Sequence, residues 1–199
     1  MISDNNAQRN LGLVLLHHPV YNKHRELVTT AVTNLDIHDI SRAARTYGLS
    51  RYYLVTPAEE QQRMIARIVG HWQDGWGADY NPDRREALSI VRVMPDLAAA
   101  RNDFQRSFDR PVNVVATGAR PRSDSIAFSR LRQAIDQPDS PHLLVLGTGW
   151  GLADEIFEQA DSTLEPIRAC GDYNHLSVRA AAAIMLDRLL GEQARPLAD

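Results

Sequence analysis

Short, wholly apolar runs alternate with longer amphipathic stretches along almost the entire chain, and this rhythm narrows the possible folds more than any other feature. The run "LGLVLLHH", Leu11–His18, opens the series. A segment with no polar side reads as a strand buried on both faces, the environment of a parallel sheet. "RYYLVTP", "SIVRVM", "VNVVATGA" and "HLLVLGTG" repeat the pattern, and "TLEPIRAC" reads as a further extended piece. The intervening stretches carry the helical period. In "NLDIHDISRAARTYGLS", Ile37, Ile40, Ala44 and Tyr47 recur at three- and four-residue spacing, with Asn34 or Asp36 as the expected N-cap and Gly48 as the stop. "AEEQQRMIARIVGHW" follows suit. "QDGWGADYNPD" reads as a turn-rich connection, and Pro82 opens the next helix. Helices are also expected in "PDLAAARNDFQRSF", in "SDSIAFSRLRQAID" with Ser123 or Asp124 as its cap, in "GLADEIFEQA", and in the closing stretch to Gly191. Strands alternating with helices imply right-handed crossovers and a mostly parallel sheet covered on both faces, an α/β fold.

Length and composition set outer limits. The 199 residues suffice for one large core, and no linker, repeat or low-complexity tract divides them, so a single domain over 1–199 is expected, with 1–10 as a flexible polar N-terminus. No apolar run reaches the roughly 18–20 residues of a membrane span, and "MISDNNAQRN" lacks the apolar core of a secretory signal. The one cysteine, Cys170, rules out an internal disulfide framework and is expected to be a small buried apolar residue. No Cys/His spacing suggests a zinc site. A cytoplasmic location is expected. The net charge of −3 gives no bulk argument for nucleic acid. Arg120, Arg122, Arg130 and Arg132 fit a solvated face or a set of phosphate contacts.

Two stretches carry chemistry. In "LLVLGTGWGL", Gly147, Gly149 and Gly151 follow an apolar strand and precede a helix, the setting in which backbone amides approach a ligand. Their G-x-G-x-G spacing departs from the dinucleotide fingerprint, and no P-loop Lys-Ser/Thr follows. In "GDYNHLSVRAAAAIMLDRLLG", Tyr173, Asn174, His175 and Ser177 crowd against an alanine-rich helix, which suits a helix cap or the rim of a ligand site.

Taken in chain order, "VNVVATGAR", "LLVLGTGWGL" and "IRACGDYNHLSVRAAAAIMLDRLLG" resemble the C-terminal half of the SPOUT class of RNA methyltransferases. Gly147, Gly151 and Leu152 match the second loop of that class; Ile167–Cys170 and Leu176–Ile184 look like its third. "TNLDIHDISRAARTYGLSRYYLVTP" is similar to its first motif. There Arg42 falls on the family's arginine and Tyr47-Gly48 on its aromatic-glycine end, while Asp36 stands in place of an asparagine and His38 in place of a glycine. Ser177 stands where the 2′-O-methyltransferase subgroup has an asparagine. "N-L-D-I-H-D-I" and "Y-N-H-L-S-V-R" look most like a bacterial subgroup sometimes joined to a tRNA guanine-N1 methyltransferase.

The resemblance implies a C-terminal deep trefoil knot, S-adenosylmethionine as cofactor, a tRNA or rRNA substrate, and a homodimer with no membrane association. The cofactor residues it implies are Ala116, Thr117 and Gly118; Leu146, Gly147, Thr148, Gly149 and Gly151; and Ile167, Tyr173, Asn174, Leu176 and Ser177. On the acceptor side it implies Arg42 with Asp36 or Asp39, and His175 as a further catalytic candidate. The residues alone leave other readings open. Arg42 fits a surface ion pair, the two aspartates fit helix N-terminal charges, and His17 and His18 fit buried histidines as well as catalysis. Trp72, Trp76 and Tyr80 suit packing, base stacking or a dimer contact. A nucleotide-dependent enzyme using the Gly147 loop and a non-catalytic binding module are the alternative functions.

Overall fold

The structure is a computed structural model that describes residues 10–137, 139–168, 170–171 and 173–192. The stretch 1–10 thus lies, apart from Asn10, outside the described residues.

The first apolar run becomes β1 (Leu11–Leu16), fully buried, and leads into a two-stranded antiparallel hairpin, β2 (Val20–Tyr21) and β3 (Leu27–Val28). Then come α1 (Asn34–Thr46), β4 (Tyr52–Val55), α2 (Glu59–Gln73), α3 (Trp76–Tyr80), α4 (Pro82–Leu88) and β5 (Val91–Met94). The second half runs α5 (Leu97–Phe108), β6 (Asn113–Ala116), β7 (Ser125–Ile126), α6 (Phe128–Ile135), β8 (His142–Gly147), α7 (Asp154–Gln159), β9 (Ser162–Leu164) and α8 (Val178–Leu190). Seven strands form one sheet in the order β5-β4-β1-β8-β6-β9-β7, and each pairing in it is parallel.

Period-two alternation along buried strands makes two cores. Leu11, Leu13 and Leu15 point to one face and pack with Ile37, Ile40, Leu88, Leu131 and Leu186 from the helices there. Val14 and Leu16 point to the other and meet Phe104 of α5 and Ile156 of α7. Both faces are therefore covered, as an all-parallel sheet requires. Among the described residues no helix is long and apolar enough to cross a membrane.

Five local expectations are corrected. The N-cap of α1 is Thr33, whose Oγ1 accepts from Asp36 N at 3.2 Å; Asn34 and Asp36 lie within the first turn. Helix α6 begins after Ala127 rather than at Ser123 or Asp124, because Ser125–Ile126 is drawn into the sheet edge beside β9. The connection after α2 contains the short helix α3, and α7 starts only at Asp154, since Gly149 and Gly151 both take positive φ. Cys170 is exposed, because it sits in the loop after β9 and off the sheet. Two other boundaries agree with the sequence: Gly48 (φ 79°) ends α1 and Pro82 opens α4, whose cap is Asn81.

Candidate active site

Ligands of open α/β sheets bind beyond the carboxyl ends of the strands. Strands β8, β6 and β9 are neighbours, so the segments that follow them, residues 117–124, 148–153 and 165–177, emerge side by side. Asn174 Nδ2 donates to Ala119 O at 3.2 Å, tying the third segment to the first, and Phe128 N donates to Glu165 Oε1 at 2.8 Å, tying the third to the start of α6. The Arg122 guanidinium lies 4.0 Å over the Phe157 ring and 3.8 Å from Asp154, tying the first to α7 behind the second.

The base of this site is fixed by the sheet. Ala116 and Leu146 are buried, and Thr117 donates its Oγ1 proton to Val145 O at 3.0 Å. Gly147 has no room for a side chain: a Cβ there would stand 2.8 Å from both Leu152 N and Leu152 Cδ2. Gly149 holds φ at 60°, and its Cβ would meet Tyr21 O of the hairpin at 2.9 Å. Thr148 is anchored from below by Leu16 O, to which its Oγ1 donates at 3.2 Å. Gly151, by contrast, faces open space. Ile167 is buried, whereas Tyr173, His175 and Leu176 are exposed on the third segment, where the rings of Tyr173 and His175 meet at 5.2 Å. Ser177 caps α8, its Oγ accepting from Ala180 N at 3.2 Å. The site thus offers backbone groups, small residues and the apolar side chains Leu146 and Ile167, a donor set that fits an adenine ring with a few directed hydrogen bonds. Among the described residues no group of three His, Cys, Asp or Glu side chains is placed to hold a metal ion.

The α1 candidates divide. Asp36 is buried. Its Oδ2 accepts from Thr33 Oγ1 at 2.6 Å, its Oδ1 accepts from Arg179 Nη1 at 3.0 Å, and its carbonyl accepts from Tyr52 OH at 3.2 Å. Arg179 also reaches Asp39, Nε to Oδ2 3.4 Å. This arginine, in the first turn of α8, links the third segment's helix to α1, and sequence reasoning missed it. The available signal was a lone cation interrupting "SVRAAAA". Arg42 and Asp39 lie on the open side of α1 in a groove of about 890 Å³ between α1, α2 and α4. Among the described residues no hydrogen bond or ion pair joins the Arg42 side chain to the segments beyond the sheet.

Histidine environments separate in the same way. His17 is fully buried at the end of β1, with Nδ1 3.1 Å from Thr30 Oγ1 and Nε2 without a partner among the described residues. Burial pushes its pKa down to about 4 against the opposing pull of Asp36, so it is a neutral core residue. His38 in the groove is also shifted down, first by burial and then by the nearby Arg84 charge. Lys23, His24 and Arg25 are exposed at the hairpin tip, where Arg25 pairs with Asp154 at 3.0 Å.

Comparisons with known proteins agree with this geometry. A family described as SAM-dependent RNA methyltransferase matches residues 10–191. A tRNA (guanine-N(1)-)-methyltransferase of Oleidesulfovibrio alaskensis is 46% identical over 185 residues, which cover 92% of this chain but 43% of that protein. An uncharacterized protein of Aquifex aeolicus is 38% identical over 180 residues, 90% of this chain and 88% of its own length. The chain therefore spans less than half of the named methyltransferase relatives it matches. Among solved structures, the Aquifex aeolicus TrmH/SpoU tRNA modifying enzyme superposes with a TM-score of 0.56 at 15% identity, covering 95% of this chain and 78% of the other. The SpoU methyltransferase AviRb of Streptomyces viridochromogenes, solved with AdoMet, superposes with a TM-score of 0.57 at 14% identity, covering 94% and 59%. These likenesses share the fold, and the family match over residues 10–191 favours the methyltransferase reading over a dinucleotide one. The chain belongs to the family of S-adenosylmethionine-dependent RNA methyltransferases and carries the SPOUT fold of its SpoU/TrmH structural neighbours.

Proposed function

We propose that the chain, as one cytoplasmic domain, methylates a nucleotide of tRNA or rRNA, and that it does so as a homodimer in which Arg42 of one subunit faces the cofactor segments of the other. The observation that carries this reading is that three segments emerge side by side beyond β8, β6 and β9, the third tied to the first by Asn174 and Ala119, and the first tied by Arg122 to Asp154 of α7, the helix that follows the second. Ala116, Thr117 and Gly118, with Leu146, Gly147, Thr148, Gly149 and Gly151, form the walls. Ile167, Tyr173, Asn174, Leu176 and Ser177 close the third side. Asn174 positions Ala119, Ser177 aims α8, and the alanines Ala180–Ala183 let that helix pass close to its neighbours in a trefoil knot. S-adenosylmethionine supplies an electrophilic methyl when bound.

The remaining work is orientation and removal of a proton. Arg42 carries no ion pair among the described residues and is free to grip a phosphate or the acceptor. Asp39 is the better placed general base: its side chain is 51% exposed and pairs with Arg179 through Oδ2 alone among the described residues, whereas Asp36 is 7% exposed and both of its oxygens are engaged. Asp36 instead positions Arg179. His175, exposed at the rim, meets acceptor or cofactor from outside. Support for tRNA as the substrate comes from the names of the longer relatives.

Arg42→Ala is expected to abolish transfer of labelled methyl groups to bulk RNA while S-adenosylmethionine affinity, measured by calorimetry, stays within about twofold. Saturable NAD binding with no S-adenosylmethionine binding would overturn the assignment. Mass spectrometry of tRNA and rRNA nucleosides from a strain lacking the protein identifies the modified base.

A further inference from the structure

Resting on the reading of RNA as substrate, we infer that the surface formed by α2, α3 and α4 beside Arg42 is a second RNA contact, one that holds the single strand flanking the acceptor nucleotide. Arg67 and Arg84 take backbone phosphates, and the Trp76–Tyr80 pair stacks on an unpaired base.

Charge comes first. The groove between α1, α2 and α4 gathers four arginines, although the whole chain carries a net charge of −3. Its two carboxylates are already engaged, Glu60 with Arg63 and Asp39 with Arg179. Arg42 and Arg67 have no ion pair among the described residues. Arg84 lies 4.5 Å over the Trp72 ring, again with no carboxylate partner among them. Near both Arg84 and Arg42 sits His38, whose neutral form burial favours, with Nδ1 buried and without a hydrogen-bond partner among the described residues. Uncompensated guanidiniums beside a neutral donor-acceptor group suit phosphate oxygens, which accept two parallel N–H bonds from one arginine.

Stacking is the second, independent observation. Trp76 and Tyr80 on α3 are 71% and 70% exposed, and their rings stack with centroids 4.8 Å apart at 20°. Helix α3 packs against α2 and α4, so this aromatic platform borders the arginine groove. Aromatic faces beside a positive groove are the recurring arrangement for single-stranded nucleic acid. A second copy of the chain fits the α2–α4 part of this surface less well, since a two-fold contact centred there would set Arg67 and Arg84 of the two copies against one another.

The test uses the intact protein and a fluorescein-labelled single-stranded RNA, followed by anisotropy across a NaCl series, with a duplex RNA as the comparison. Arg67→Gln combined with Arg84→Gln is expected to flatten the slope of log affinity against log salt by about 1.4, two phosphate contacts at roughly 0.7 each. Trp76→Ala is expected to weaken single-strand binding by about 5- to 150-fold and duplex binding far less. Calorimetric S-adenosylmethionine affinity should not change in any variant. Should Arg84→Gln fail to fold once its ring contact is lost, Arg67→Gln with Trp76→Ala tests the same surface, both side chains being exposed. Wild-type binding and salt slope in these variants, while the unaltered protein still methylates RNA, overturns this contact alone. Altered sedimentation of the variants overturns it in favour of an interface between copies. An unaltered protein that neither binds nor methylates RNA overturns the substrate reading itself.

Discussion

His17 shows at residue scale how burial decides a role that residue type leaves open. Its ring is enclosed at the end of β1, and its pKa lies at about 4. Between pH 6.5 and about 4 the unfolded chain binds a proton at this position that the folded chain refuses. The stability contributed by the neutral ring is therefore complete above pH 6.5 and is lost as the pH falls toward 4, by about 3 kcal/mol in total. Urea unfolding at a series of pH values should show this loss in the wild type and a shallower one in His17→Gln. His38 and His142, also shifted down, continue to titrate in both, so equal slopes in the two proteins would refute the assignment. Arg179 makes the complementary point. Sequence singled out Asp36 and Asp39 as acids and left their shared arginine unseen, because the partner lies 143 residues away from Asp36 along the chain. Residue type suggests chemistry, but only the fold shows which carboxylate is already occupied.

At the scale of elements, the strands were the most legible part. An apolar run with no polar face has one stable use in an α/β chain, and β1, β4, β6 and β8 lie where such runs occur. Helix starts were less so. Thr33 took the cap from Asn34 and Asp36, three polar residues that differ little in capping strength, and edge pairing of Ser125–Ile126 displaced the start of α6. Neither outcome depends on local sequence alone. The glycine loop was legible as a close approach, and the structure says of what: Leu152 folds back onto Gly147. Gly147→Ala forces a Cβ to within 2.8 Å of backbone and is expected to cost about 1–3 kcal/mol and to weaken cofactor binding. Gly118→Ala meets only the Phe157 ring at an ordinary 3.6 Å and should leave the melting temperature nearly unchanged. Thermal melts of the two variants side by side check the contrast.

For the whole molecule, no hydrogen bond or ion pair among the described residues joins the Arg42 side chain to the segments proposed to hold the cofactor, and the homodimer proposed above unites them. Mixing subunits tests this directly. Arg42→Ala lacks the acceptor arginine, and Gly151→Trp fills the open space in front of the second segment; each alone should be inactive. Co-refolded in equal amounts, half of the dimers are mixed and each holds one intact composite site, so methyl transfer should return to roughly a quarter of the wild-type level. No recovery would place the complete site within a single chain. The sheet order carries one more consequence, which concerns synthesis. Strand β1 sits in the interior of the finished sheet, paired on one side with β4 and on the other with β8, where Leu11 lies opposite His142. On the ribosome its second neighbour emerges roughly 5–20 s after the first at ordinary elongation rates. Throughout that interval one edge of β1, a strand of four leucines, a valine and a glycine, stays unpaired, the kind of transiently open edge that invites chaperone binding.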